Sequence, residues 1–137
     1  MGSFYFNDMN GTYNSFPYPK GSEWRKWDLH IHTPADVLNN QFKGRNSGEK
    51  WENYLSQIEK LDIETIVVTN YFCIDGYEET VGYWRKGRLK NIRLILPNIE
   101  FRISQPNREG DFINIHVIFS DYIPPEKIKE FLSRLPL

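Results

Sequence analysis

Hydrophobic and polar residues alternate strictly along Trp27-Asp28-Leu29-His30-Ile31-His32, and Thr33-Pro34 then stops the pattern. Side chains on a strand point to opposite faces with period two. A strand is therefore predicted over residues 26–33, with Trp27, Leu29 and Ile31 turned to a core. Asp28, His30 and His32 share its other face. Downstream the period lengthens. Trp51, Leu55, Ile58 and Leu61 recur at spacings of four, three and three, the stripe of an amphipathic helix over about residues 48–61. Thr65-Ile66-Val67-Val68-Thr69 is a β-branched apolar run, as in strands covered on both faces. Strand, helix, strand makes a parallel, right-handed unit.

The second half continues in the same way. Asp75-Gly76-Tyr77-Glu78 reads as a capping box, with Asp75 as N-cap and Glu78 at N3. The helix it opens buries Tyr77, Val81 and Trp84 and stops at Gly87. A third strand is predicted over residues 92–103; Pro97 has no ladder donor, so a bulge or an edge is expected there. The turn from Pro106 to Asp111 is too short for a parallel crossover, so a strand over residues 112–120 returns antiparallel. Pro125 opens a last helix with Ile128, Phe131, Leu132 and Leu135 inward, and Pro136 ends it. The order is β-α-β-α-β-β-α, an α/β fold of about four strands and three helices.

Composition narrows the function classes. With 17 basic and 18 acidic residues among 137, no global field recruits nucleic acid or membrane. The single Cys73 forms no internal disulfide, which suits a reducing compartment. The start of the chain lacks a basic segment followed by an apolar run, so a cytoplasmic protein is expected. Residues 1–22 carry Phe4, Tyr5, Phe6, Tyr13, Phe16 and Tyr18 without periodicity, and read as a flexible aromatic leader before one domain over residues 23–137. Arg85, Lys86, Arg88, Lys90 and Arg93 form a basic stretch; cations complementing a helix C-terminus explain it better than nucleic-acid contact does.

Candidate chemistry gathers on the strands. His30 and His32 lie two apart on one strand face, close enough to converge on a metal ion, with Asp28 placed to orient a ring nitrogen. In the fourth strand Asn114 and His116 share a face opposite Ile113, Ile115 and Val117. In the third, Glu100 follows Leu94, Leu96 and Asn98 on one face, and an unpaired carboxylate in an apolar run is costly without water or a cation beside it. Three histidines and a glutamate make a mixed nitrogen and oxygen set, suited to Zn²⁺, Mn²⁺ or Fe²⁺ rather than Ca²⁺. Singly, each position is as readily a hydrogen-bonded surface or core residue.

Taken in order, Asp-Leu-His-Ile-His-Thr, Val-Val-Thr-Asn-Tyr, Leu-Pro-Asn-Ile-Glu and Asn-Ile-His-Val-Ile resemble the motifs of the PHP (polymerase and histidinol phosphatase) family. The likeness covers about residues 20–137 and is closest to the N-terminal PHP domain of TrlF-like bacterial proteins, where a P-loop ATPase follows. It implies a distorted β/α barrel with divalent metal ions at the carboxyl ends of its strands, and phosphoester hydrolysis. His30, His32 and His116 would be metal ligands and Glu100 a bridging, catalytic acid, with Asp28 behind the ligands. The family's Thr-Asp-His is here Thr69-Asn70-Tyr71, which makes Asn70 and Tyr71 possible site residues; Asp36 stands near a further ligand position. Later family motifs are absent, so a partial PHP-type barrel is expected, weak or inactive in isolation. The expected function is a metal-dependent phosphoesterase acting on nucleic acid or nucleotides within an ATPase-linked DNA repair or defence system. The alternative is a degenerate, catalytically silent module serving as a partner-binding platform; an amidohydrolase-like enzyme is more remote. Expected partners are a P-loop ATPase domain or chain, a nucleic-acid substrate, and a second copy through open sheet edges.

Overall fold

The structure, a computed structural model, describes residues 5–7, 13–15, 24–36, 38 and 41–135. In chain order its elements are β1 (Tyr5–Asn7), β2 (Tyr13–Ser15), β3 (Trp27–His32), α1 (Ser47–Ile58), β4 (Thr65–Tyr71), α2 (Asp75–Arg85), β5 (Leu94–Pro106), β6 (Phe112–Ile118) and α3 (Pro125–Ser133). β1 and β2 form their own antiparallel ladder, a regular element where none was expected; Phe4, Phe16 and Tyr18 lie outside the described residues. The other strands make one sheet in the order β3-β4-β5-β6, parallel except for β6, which curls into half a barrel. No described helix is long and apolar enough to cross a membrane.

β4 is buried along its whole length, as its β-branched run predicts. Its two faces differ. Ile66 and Val68, with Ile95 and Ile99 of β5, pack against Trp51, Tyr54, Leu55 and Ile58 of α1, Tyr77 of α2, and Ile128 and Leu132 of α3. Each fully buried aliphatic side chain there contributes roughly 1.5–3 kcal/mol. The residues between them, Thr69 and Tyr71 on β4 and Asn98 and Glu100 on β5, pair across the ladder on the opposite, helix-free face. That division decides where chemistry can occur.

Several expectations need correction. Trp27 and Leu29 are about half exposed, at 53% and 52%, and only Ile31 of the trio packs against the core. β3 is an edge strand, and its register to β4 slips by one residue between Asp28 and Ile31. The extra residue resets the alternation. Asp28 pairs with Ile66 and Ile31 with Val68, so Asp28 belongs to the helix-side face and His32, paired with Thr69, to the other.

Pro97 neither breaks β5 nor bulges it: the β4–β5 ladder runs unbroken through Val68↔Pro97. The Pro97 carbonyl accepts from Phe119 N–H at 2.9 Å, so its missing donor lies on the β6 side, where β6 has ended. Leu61 is exposed because α1 stops at Ile58, and Asn91 Nδ2 donates to the carbonyls of Ile58 and Leu61 at 3.0 and 3.1 Å.

The capping box also moves. Asp75 is the first helical residue of α2, Ile74 occupies the N-cap, and no side chain caps that end. Glu78 instead pairs with Lys129 at 2.6 Å, tying α2 to α3. The true side-chain cap is Asn46 on α1, whose Oδ1 accepts from Glu49 N–H at 2.9 Å.

Candidate metal centre

At the carboxyl end of β3, the Thr33–Asp36 turn closes with Asp36 N–H on the Thr33 carbonyl at 3.0 Å. It folds Asp36 back beneath His32. Asp36 is buried; its Oδ1 accepts from Leu38 N–H at 3.0 Å, and its Oδ2 lies 2.7 Å from His32 Nδ1. A carboxylate there accepts the Nδ1 proton as a hydrogen bond and turns Nε2 outward. His30 Nε2 lies 2.8 Å from that same Nε2. Desolvation first, then the neighbouring His32 and the weaker influence of His116, holds His30 below the ordinary histidine value despite Glu100.

Glu100 completes the group from β5. Its Oε1 accepts twice, from Tyr71 Oη at 2.9 Å and from Asn114 Nδ2 at 2.6 Å. Its Oε2 is buried and has no hydrogen-bond partner among the described residues. That bare oxygen stands 3.7 Å from His30 Nε2 and 3.5 Å from His32 Nε2. Donor atoms around an ion bound at ~2.0–2.2 Å stand about 3.0–3.5 Å apart. The three separations bracket that range, and these three ligand atoms all lie within 4.8 Å of one another. A buried carboxylate oxygen without a donor is costly, and a divalent cation would remove the cost. The residues therefore fit such an ion. Side-chain exposure falls from 46% at His30 through 14% at His32 to 3% at Glu100, so the group opens on the His30 side.

The other anticipated residues divide. His116 stands at the rim, its Nε2 4.0 Å from Glu100 Oε1 and its ring centroid 4.8 Å from that of His30, outside the three-atom group. Tyr71 is in the site, stacked on His32 at 5.6 Å; burial and the Glu100 carboxylate raise its phenol pKa and keep it a donor. Asn70 is not. It points to the helix side, where its Nδ2 donates to Thr33 Oγ1 at 3.2 Å. A Cβ on Gly76 would come within 2.1 Å of Thr33 Oγ1 and 2.5 Å of Asn70 Oδ1, so only glycine fits there. Asp28 accepts from the backbone N–H of His30 at 3.1 Å; the orienting carboxylate is that of Asp36.

Two contributors escaped the sequence reading. Asn98 Nδ2 lies 2.9 Å from Thr69 Oγ1 and 3.1 Å from His116 Nδ1, holding that ring from behind. Arg102 follows Glu100 by two on β5 and was findable from the same period-two count that found Glu100. The basic stretch is partly spent on structure: Arg88 pairs with Glu52 at 2.7 Å and Glu59 at 2.8 Å. Searched against family models, curated proteins and solved structures, the chain gives no match.

Proposed function

We propose that the chain is a PHP-type half-barrel whose His30, His32 and Glu100 hold a divalent transition metal, with His116 beside it, for phosphoester hydrolysis. The observation that carries this reading is Glu100 Oε2, buried, without a donor and facing two imidazole nitrogens. The ordered motifs around those four residues support the family, and nucleotides or nucleic acid within an ATPase-linked system are the proposed setting. A bound ion supplies Lewis-acid charge neutralisation to a phosphoryl group. The chain's residues prepare for it. Asp36 fixes the His32 tautomer, burial keeps His30 neutral, and Tyr71 with Asn114 turns Glu100 so that Oε2 faces the histidines.

A second reading, a catalytically silent platform for a partner or a second copy, is favoured by the apolar edges. Trp27 and Leu29 on β3, and Phe112, Ile113, Ile115 and Ile118 on β6, are all exposed. Elemental analysis and hydrolysis of a chromogenic phosphodiester with added Mn²⁺ separate the two. The expected outcome is metal retained by the wild type and lost from the His30→Ala/His32→Ala variant, with weak turnover that disappears in parallel. Metal content unchanged in that variant would overturn the centre. Metal retained without turnover would favour the platform.

A further inference from the structure

Arg102 projects from β5 on the same face as Glu100, and its strand partner is Asn114. Its guanidinium carbon lies 5.6 Å from the centroid of the Tyr71 ring and 6.0 Å from that of Phe112. A shift in the β5–β6 register between Arg102 and Pro106 pairs Phe112 with Pro106, and Phe112 still reaches the guanidinium. Nε makes one long hydrogen bond, 3.4 Å to Asn114 Oδ1. The guanidinium also hydrogen-bonds the Tyr71 side chain, no ion pair joins it to a carboxylate among the described residues, and the side chain is exposed. Arg88, Arg134 and Arg25, by contrast, each stand near a carboxylate.

A cation with two aromatic contacts and no counter-charge has lost much of its freedom without gaining an acid. Its position is specific. Both neighbours that hold it, Tyr71 and Asn114, also hold Glu100 Oε1. Same-face neighbours on a strand are ~6.5–7 Å apart, a gap that one phosphoryl group between the metal ligands and the guanidinium would bridge. A guanidinium fork matches two phosphoryl oxygens at once, which a lysine ammonium does not.

We infer that Arg102 is the anion anchor of this site, binding the phosphoryl group of the substrate through the exposed edge of its guanidinium. Tyr71 and Phe112 set the plane of the fork, and Asn114 sets its rotation. This role presupposes the phosphoester reading of the same site, although phosphate binding itself can be measured without turnover.

The test is calorimetric titration with inorganic phosphate at low ionic strength, on metal-free protein and on protein equilibrated with Zn²⁺. Arg102→Met is expected to weaken phosphate binding about tenfold or more in both forms, and Arg102→Lys to restore only part. In the hydrolysis assay the loss should fall mainly on KM rather than kcat. Phosphate bound equally by wild type and Arg102→Met, or not bound by wild type at all, overturns the anchor. Arg102-dependent binding that Zn²⁺ does not strengthen leaves the anchor standing and counts against the metal reading. Should Arg102→Met fail to fold, Arg102→Lys decides: affinity equal to wild type would overturn the fork.

Discussion

The two ends of the parallel strands treat charge in opposite ways. At the amino end, Arg88 reaches Glu52 at 2.7 and 3.0 Å and Glu59 at 2.8 and 3.0 Å. Glu59 Oε1 takes the Leu89 N–H as well, at 2.9 Å. The guanidinium pulls both carboxyls below their ordinary range, so each acid is matched. At the carboxyl end, Glu100 faces two imidazoles and keeps one oxygen bare. A matched network is scaffold and joins α1 to the loop before β5. An unmatched one forgoes stability and leaves a buried acceptor open, as the proposed metal centre requires.

That contrast can be broken most directly by removing one acid from each end. Glu100→Gln supplies an amide donor where the bare oxygen stands, and should raise the unfolding free energy of metal-free protein by about 1 kcal/mol while abolishing metal retention. Glu59→Gln removes a matched acid and should lower stability, by less, with metal content intact. Thermal unfolding beside elemental analysis reads both. If the two variants shift in the same direction, the ends do not differ as described.

The pH dependence sharpens the comparison. The folded-state pKa of His30 is depressed from 6.5, so the unfolded chain takes up a proton that the folded chain refuses. Stability from this group is complete above 6.5 and is lost as pH falls below that value toward the folded pKa. The folded pKa of Glu59 is depressed from 4.5 by Arg88, so its contribution persists above 4.5 and is lost only in the lower window. Melting temperature followed from about pH 7.5 to about pH 3 should therefore fall in two steps. His30→Gln should remove the upper one and leave the lower. A single step shared by both proteins would count against the assignment.

A further pair of variants compares the starts of two helices. Asn46→Ala should cost about 1 kcal/mol through the lost cap of α1, and Asp75→Ala distinctly less. Equal shifts in denaturation midpoint would restore Asp75 as a cap.

What could be read from the sequence follows the same physics. The strand with His30 and His32 was legible because alternation is a local property. The slip between Asp28 and Ile31 was not, since one extra residue on an edge strand leaves no trace in composition, and Asp28 was assigned to the wrong face. Asn46-Ser47-Gly48-Glu49 and Asp75-Gly76-Tyr77-Glu78 offer similar signatures, yet only the first is used; Lys129, remote in sequence, takes the second acid. Glu100 was legible as an acid after an apolar run. Asp36 was only near its place, because a turn rather than a strand period carries it to His32. The division of Asn70 from Tyr71 needed only the alternation of β4, once its two faces had been told apart.

Gly76 shows how far the cluster's tolerance extends beyond the side chains that form it. It offers no side chain to any ion, yet α2 begins against Thr33 and Asn70 so closely that a methyl group would meet an oxygen at 2.1 Å. Thr33 is also where the turn bearing Asp36 starts. A larger residue at position 76 would act as a wedge beneath that turn, tilting the Asp36 carboxylate from the ring that it steadies. Anyone varying this cluster would find a fixed point outside the circle of visible contacts, and any transplant of the His-Glu set onto another scaffold would have to carry the glycine with it.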